Sequence, residues 1–523
     1  MLEQLRSGMG LSSSETHVWS EQIRVAEEDL RRYESEIACL KSRIAALTTE
    51  AGILKNSVGM ARSMLSPVRR LPNEVLGRIF SRCHGLPVFS MSEIFENPPF
   101  LSVCIKWRNV ALSDPSIWSS LMVEMPQKNG AFHPARNLRA LKFHLSCSKA
   151  SPLDVSIFFP ESTRAPVDPV DSYEMVDSLA LHAARFTSLS IFGAFIAPPN
   201  FRIFERLEAI QSFPQLKSLD LSCAPIPDSP RIWSNLLEKS SNLHSFGIIL
   251  FFPTTSLTRL TSVSNLNITT LNDMEVFKIA QFCPNAITVT YSLWHDPEHK
   301  ADFVSLPDII TPQIFPYAQE LSIKLWGDTE QSEYDLFLEL VPALTLPSLK
   351  SFSLSNMESS DGKFPLEQFS TFLSRSKCVL TSLAFESVVI SDLDMVFLLQ
   401  LLPNLTDLAI KETCAPVPDS TPLVTKHFLQ SLHSYAFSLF DERSKLLVPK
   451  LQHLTLKARR ETFDGTAFVE MVLSRSLPNE TWGVESLQSA KVHVVKGEID
   501  KEIRQLLETV KTKVTWVDES EED

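Results

Sequence analysis

A nine-residue template recurs along most of this chain, and a recurring unit constrains architecture more tightly than composition does. Its strong copies are "FPQLKSLDL" (213–221), "FPYAQELSI" (315–323), "LPSLKSFSL" (346–354), "LPNLTDLAI" (402–410) and "VPKLQHLTL" (448–456). Each opens with an apolar residue and Pro, then places apolar residues at the fourth, seventh and ninth positions. Weaker copies lie between them: "AARFTSLSI" (183–191), "SSNLHSFGI" (240–248), "CPNAITVTY" (283–291), "KCVLTSLAF" (377–385) and "VESLQSAKV" (484–492). The fourth-place residues are Phe186, Leu216, Leu243, Ala286, Ala318, Leu349, Leu380, Leu405, Leu451 and Leu487. They stand mostly 25 to 32 residues apart, with longer steps before Ala286, Leu451 and Leu487. Leu257 in "SLTRLTSVS" is a candidate to divide the first long step.

Alternation at the seventh and ninth places puts those side chains on the inner face of a short strand. The stretches between copies, such as "DMEVFKIAQFC" and "LDMVFLLQLL", have helical spacing. One unit cannot bury its own apolar face, so neighbours must stack into a curved parallel solenoid. The LxxLxL core resembles the leucine-rich repeats in an irregular form. The family's asparagine ladder is missing, its place being held by Ala224, Met357, Val388 and Thr413. The eighth-place residues are small or polar and would line the concave face. Among them Ser190, Asp220, Ser322, Ser353 and Thr455 are candidates to meet a target protein. The alternative is a compact α/β domain with scattered Leu.

Ahead of the repeats, "LPNEVLGRIF" (71–80) has the pattern of an amphipathic helix. Leu71, Val75, Leu76, Ile79, Phe80 and Cys83 fall on one side, Pro72 lies at the first turn, and Glu74 follows it. After Pro98 and Pro99 a second helical face combines Phe100, Val103, Cys104, Trp107, Val110 and Ala111, and "SDPSIWSSL" supplies a turn and a buried Trp118. A unit of roughly fifty residues with so thin a core leaves surplus apolar surface, which implies a partner. The three parts together resemble the F-box, with its LPxExLxxIF, VCxxW and DPxxW segments. The resemblance implies that this region binds the Skp-type adaptor of a cullin-RING ubiquitin ligase. Carried over by position, Leu71, Pro72, Glu74, Leu76, Ile79, Phe80, Val103, Cys104 and Trp107 are the adaptor-binding residues. The connection "SRCHGLPVFSMSEIFENPP" is longer than the family's usual one.

Between residues 23 and 54, Ile23, Ala26, Leu30, Tyr33, Ile37, Leu40, Ile44, Leu47, Ala51 and Leu54 recur at alternating steps of three and four, the stripe of a coiled coil. Self-association through this stretch and a lone helix folded back on its own protein both fit. Gly52 and Gly59 weaken the pattern and Pro67 stops it. The expected class is therefore α/β. It comprises a disordered start (1–20), a coiled-coil helix (21–56), an F-box-like domain (71–122) and an irregular leucine-rich-repeat solenoid (136–498). Linkers fill 57–70 and 123–135, and a C-terminal helix and acidic tail occupy 499–523.

With a net charge of −13 and no basic run, nucleic acid is not an expected partner. No run of about eighteen apolar residues is present to span a membrane. No secretory h-region opens the chain, so a cytoplasmic or nuclear address is expected. Eight scattered cysteines without a CxxC pair point to neither a disulfide framework nor a zinc module. "WHDPEHK" crowds His295, Asp296, Glu298 and His299, but Pro297 spoils a helical ligand pair, so no metal is expected. Phosphate-cradling and nucleophile-elbow motifs are absent, so no cofactor and no catalytic residue is expected. The expected function is substrate recognition for a ubiquitin ligase. The alternative is a non-catalytic repeat scaffold assembled through the N-terminal coil.

Overall fold

This computed structural model describes residues 6, 10–83, 85–90, 97–125, 134–159, 170–193, 201–223, 229–250, 259–271, 282–294, 313–326, 333–356, 363–412, 422–434, 446–459, 461–476, 484–495 and 512–519. They belong to two units, residues 1–79 and 80–523.

The first unit is dominated by one 53-residue helix, α1 (Ser13–Leu65). Ser12 caps it reciprocally: its side chain accepts the Glu15 amide, while the Glu15 carboxylate accepts the Ser12 N–H at 3.0 Å. That capping box makes Ser13–Ser20 helical, where disorder was the expectation. The helix also runs through Gly52 and Gly59, extending the expected 21–56 span at both ends. A Cβ at either glycine would meet nothing within 4 Å, so each sits on an open face and costs only its intrinsic ~1 kcal/mol relative to Ala. Ser66 closes α1 just before Pro67, as the sequence requires. A 3₁₀ turn (Pro67–Arg70) leads to α2 (Asn73–Cys83), where the Leu76 N–H donates to the Pro72 carbonyl at 3.1 Å.

Among the described residues the second unit is built on a fifteen-stranded sheet whose strands follow chain order and pair in parallel throughout. Its first strands are β1 (Val88–Ser90), β2 (Ser120–Glu124), β3 (Leu153–Phe159), β4 (Phe186–Gly193), β5 (Ser218–Cys223), β6 (Ser245–Leu250), β7 (Asn265–Leu271) and β8 (Thr288–Trp294). A small separate pair, β9 (Gln313–Ile314) with β11 (Leu344–Thr345), flanks β10 (Glu320–Trp326) in sequence. The main sheet continues through β12 (Ser351–Asn356), β13 (Ser382–Glu386), β14 (Asp407–Lys411), β15 (His453–Arg459), β16 (Ser489–Val495) and β17 (Lys513–Glu519). Stacked parallel strands with helical returns make this a solenoid-like α/β fold, as the periodicity requires.

Each template copy lands on a strand. The fourth-place residues are all at most 2% exposed, and the seventh and ninth places alternate inward to one continuous core running from Phe89 to Val494. Returning helices supply the other half of that core: α5 (Pro134–Cys147), α6 (Val170–Ala180), α7 (Phe201–Glu208), α8 (Ser229–Glu238), α9 (Glu333–Ala343), α10 (Leu366–Ser376), α11 (Asp392–Gln400), α12 (Lys426–Ser431) and α13 (Gly465–Arg475). The helix expected at "DMEVFKIAQFC" lies mostly outside the described residues, whereas "LDMVFLLQLL" forms α11.

Three boundaries differ from expectation. The divider of the long step is "LTSVSNLNI" (260–268), with Val263 in fourth place and Leu266 and Ile268 turned inward, and Leu257 lies outside the described residues. The sheet does not begin near 136, since β1 and β2 lie inside the stretch read as a separate helical domain and its following linker. The unusually long connection exists because it houses β1. Nor does the sheet end at 498, because β17 pairs with β16 where an acidic tail was expected, and the expected C-terminal helix lies outside the described residues.

Arg185, Arg375 and Arg475 tie successive returns together. Arg185 reaches the carbonyls of Lys149 and Ser151, Arg375 those of Val341 (2.8 Å) and Leu344 (2.7 Å), and Arg475 those of Leu432, Leu447 (2.6 Å) and Val448 (3.1 Å). No helix among the described residues is long and apolar enough to cross a membrane.

Candidate functional site

The residues singled out by sequence fall in two sets. The first lies in "LPNEVLGRIF", whose residues up to Ile79 belong to the first unit, and in "VCIKW" of the second. In α2, Leu76 is fully buried, so it supports the helix and is not free to meet a partner. Pro72, Glu74, Val75 and Ile79 are exposed, and Leu71 is half-buried. Phe80 is also buried: its ring stacks on Phe100 at 4.7 Å and tilts against Trp107 at 5.1 Å. The apolar stripe expected to be open is thus closed at its centre.

The second helical face does not continue as one helix. It is split into α3 (Phe100–Val103) and α4 (Ile105–Ser113) by Cys104, whose backbone is extended (φ −164°, ψ 169°). The break turns Val103 and Ile105 into solvent, 52% and 75% exposed, while Phe100, Val110 and Ala111 stay inside. Cys104 and Trp107 are half-buried. Ile105, at a variable position inside VCxxW, was not singled out by sequence because the helical spacing assigns it to another face.

Trp118 closes this region. Its indole N–H donates to the Ala111 carbonyl at 2.8 Å, and its ring meets Phe143 and His144 edge-on at 5.8 and 5.2 Å. The preceding turn is pinned by Asp114, which accepts the Ser116 amide (3.0 Å) and hydroxyl (2.7 Å). Trp118, Leu121 and Val123 also occupy the fourth, seventh and ninth places of the repeat template, so one tryptophan serves both segments.

The second set lies on the sheet face turned away from the helices. Ser190, Asp220, Ser322, Ser353 and Thr455 are all half-buried and lie in one register row, joined through Gly247, Asn267, Thr290, Ala384 and Ala409. Asn267 joins this row because the copy at 260–268 went unread in sequence. Gly247 gives Asp220 its room, since a Cβ there would stand 2.8 Å from the Asp220 carboxyl carbon. Near the end of the sheet the same face turns basic. Lys411 and Lys457 are cross-strand neighbours, Lys457 faces His493, and Thr455 faces Lys491, with Glu386 paired to Lys411 at 3.3 Å. That patch stands out in a chain with a net charge of −13.

Burial raises the Asp220 carboxyl above the ordinary carboxylate range, against a hydrogen bond from Ser222 that lowers it. A folded-state pKa raised above the unfolded one means that the folded chain holds the proton longer. This group's contribution is then most favourable below the ordinary carboxylate pKa and is lost as pH rises through the raised value. Asp220→Asn should therefore match wild type at acid pH and be the more stable at neutral pH. Chemical denaturation of both proteins across that range checks the sign.

Thiol chemistry is muted in the core. Burial pushes the Cys283 thiol up to about 12 and also raises Cys147 and Cys378. Among the described residues no group of three or more His, Cys, Asp or Glu could hold a metal ion, and His295, Asp296, Glu298 and His299 of "WHDPEHK" lie outside them. No protein-family model matches the chain, and a search of curated proteins found no match.

Proposed function

We propose that the chain is a substrate-recognition subunit of a cullin-RING ubiquitin ligase, holding a Skp-type adaptor near its N-terminal third and a target protein on the sheet. The observation that carries this reading is the pair Val103 and Ile105, left in solvent by the Cys104 break inside a segment with F-box order and chemistry. Exposed β-branched side chains beside a half-buried tryptophan fit the apolar centre of a protein interface. The resemblance assigns Leu71, Pro72, Glu74 and Ile79 of the first unit, and Cys104 and Trp107 of the second, to the same adaptor. Leu76 and Phe80, being buried, act by holding the backbone in place.

The open sheet face supplies the target surface. Its small, polar register row admits close backbone approach, and the basic end around Lys457 and Lys491 favours a target segment with acidic residues. Such a receptor needs no acid, base or nucleophile of its own. Holding a target beside a charged ubiquitin carrier raises the effective concentration of its lysines.

A second reading is favoured by one observation: β1 and β2 are the first strands of the sheet, so α3 and α4 also serve as its opening return. On that reading the segment is a cap on a non-catalytic scaffold. Titration of purified Skp-type adaptor into the full chain separates the two. The receptor reading expects binding by wild type and a loss of about 100-fold or more in Ile79→Asp/Val103→Asp, because each change places a charge on an apolar residue that the resemblance assigns to the adaptor. Both positions are exposed, so the variant should keep its circular dichroism spectrum. No binding by wild type, or equal binding by the variant, leaves the scaffold reading standing.

A further inference from the structure

Helix α1 carries an apolar seam that no part of its own unit covers. Ile23, Leu30, Ile37, Leu40, Ile44 and Leu54 are each between 50% and 65% exposed, and no residue of α1 is buried. The seam keeps a strict seven-residue repeat from Ile23 to Leu65, with Ile23, Leu30, Ile37, Ile44, Ala51, Val58 and Leu65 at the first core position. Ala26, Tyr33, Leu40, Leu47, Leu54 and Ala61 fill the second. A sustained heptad seam is the mark of a helix that pairs with another helix.

We propose that the seam's occupant is α1 of a second copy of this chain, packed antiparallel, with Ile44 opposite Leu47 and Ile37 opposite Leu54. Two independent features select that arrangement. The first is volume. In this register every small core residue meets a large one: Ala61 faces Leu30, Ala51 faces Leu40, Ala26 faces Leu65 and Val58 faces Tyr33. A parallel pair would set Ala26, Ala51 and Ala61 each against itself and Tyr33 against Tyr33, alternating voids with crowding.

The second is charge. Residues 13–36 hold seven acidic and three basic side chains, whereas residues 37–65 hold one acidic and four basic. Along the flanks of the antiparallel seam Glu27 meets Arg62, Glu34 meets Lys55 and Arg43 meets Glu50, with no like-charge pair. A parallel pair would keep Glu36 with Lys41 and Glu50 with Lys55 but would oppose Asp29 to Glu34. Among the described residues the ion pairs within α1 join Glu21, Arg24, Glu28, Asp29 and Arg32, none of which takes part in the three antiparallel flank pairs. The dimer does not depend on adaptor docking, so failure of either proposal leaves the other intact.

Sedimentation of the full chain at low ionic strength tests it. Wild type should be a concentration-dependent dimer. Glu34→Lys sets Lys against Lys55 at both ends and should weaken the dimer about tenfold, and adding Lys55→Glu should restore it. All these side chains are exposed, so folding is not at stake. In a parallel pair Glu34→Lys would instead replace repulsion from Asp29 by attraction and tighten the dimer. A monomer at all concentrations, a trimer, a dimer tightened or unmoved by Glu34→Lys, or a loss that Lys55→Glu does not rescue would each overturn the proposal.

Discussion

Replacing Arg475 by Met should destabilise the protein by about 2–4 kcal/mol and release its C-terminal repeats first. Arg475 is fully buried, and no carboxylate among the described residues forms an ion pair with it. Its guanidinium instead spreads over the carbonyls of Leu432, Leu447 and Val448, and burial pulls its pKa down to about 10, still charged at neutral pH. Met fills a similar volume and removes the cost of a buried charge, but it strands the Leu432 and Leu447 carbonyls, each worth about 1–3 kcal/mol when left unsatisfied inside a protein, while that of Val448 keeps the Leu451 N–H at 3.2 Å. Val448 makes the loss worse, because its left-handed backbone (φ 42°) is an unfavourable state for a β-branched residue and is held through the carbonyls on either side. Arg475→Lys should fall close to Met, since one ammonium cannot copy the planar fork. Stability in a stacked array is local, so calorimetry should show an early transition that hydrogen exchange places in α13, β15 and β16. A variant as stable as wild type would show that the carbonyls find other partners.

Trp118→Ala should cost about 3–5 kcal/mol, the range for removing a large buried aromatic side chain. Its consequence is more telling than its size. Trp118 belongs to the turn after α4 and, at the same time, to the first full repeat, so its loss should speed exchange both in α4 and in β2. Damage confined to α4 would mean that the helical segment is a separable domain. Trp118→Phe keeps most of the apolar contact but strands the Ala111 carbonyl, and should cost about 1–2 kcal/mol.

The repeat was legible because it is written in buried side chains whose spacing the strand imposes. Copies that open with an apolar residue and Pro were found directly. The copy at 260–268 was missed because it lacks that Pro and because "SLTRLTSVS" offers Leu257 and Leu260 at the template's spacing six residues early. β1 and β17 escaped because, carried across by register, the template's fourth place falls on His84 and Lys511, neither of which is apolar. The arginine ties are a long-range device, but they leave a trace, since "LSRS" occurs at both 373–376 and 473–476.

In "LPNEVLGRIF", proposed to dock the adaptor, helical spacing identified an apolar side but could not divide it into supporting and exposed parts. Leu76 and Phe80 share that side with Val75 and Ile79, and only packing separates them. The break at Cys104 was equally invisible, because nothing in "LSVCIKW" forbids a continuous helix, and with it went the exposure of Ile105.

Hydrogen exchange on the full chain, with and without saturating Skp-type adaptor, tests docking most directly. Slowed exchange confined to residues 73–83 and 100–109, with the strands unchanged, is the expected outcome. An adaptor that slows nothing there, or that protects only the sheet, would contradict it.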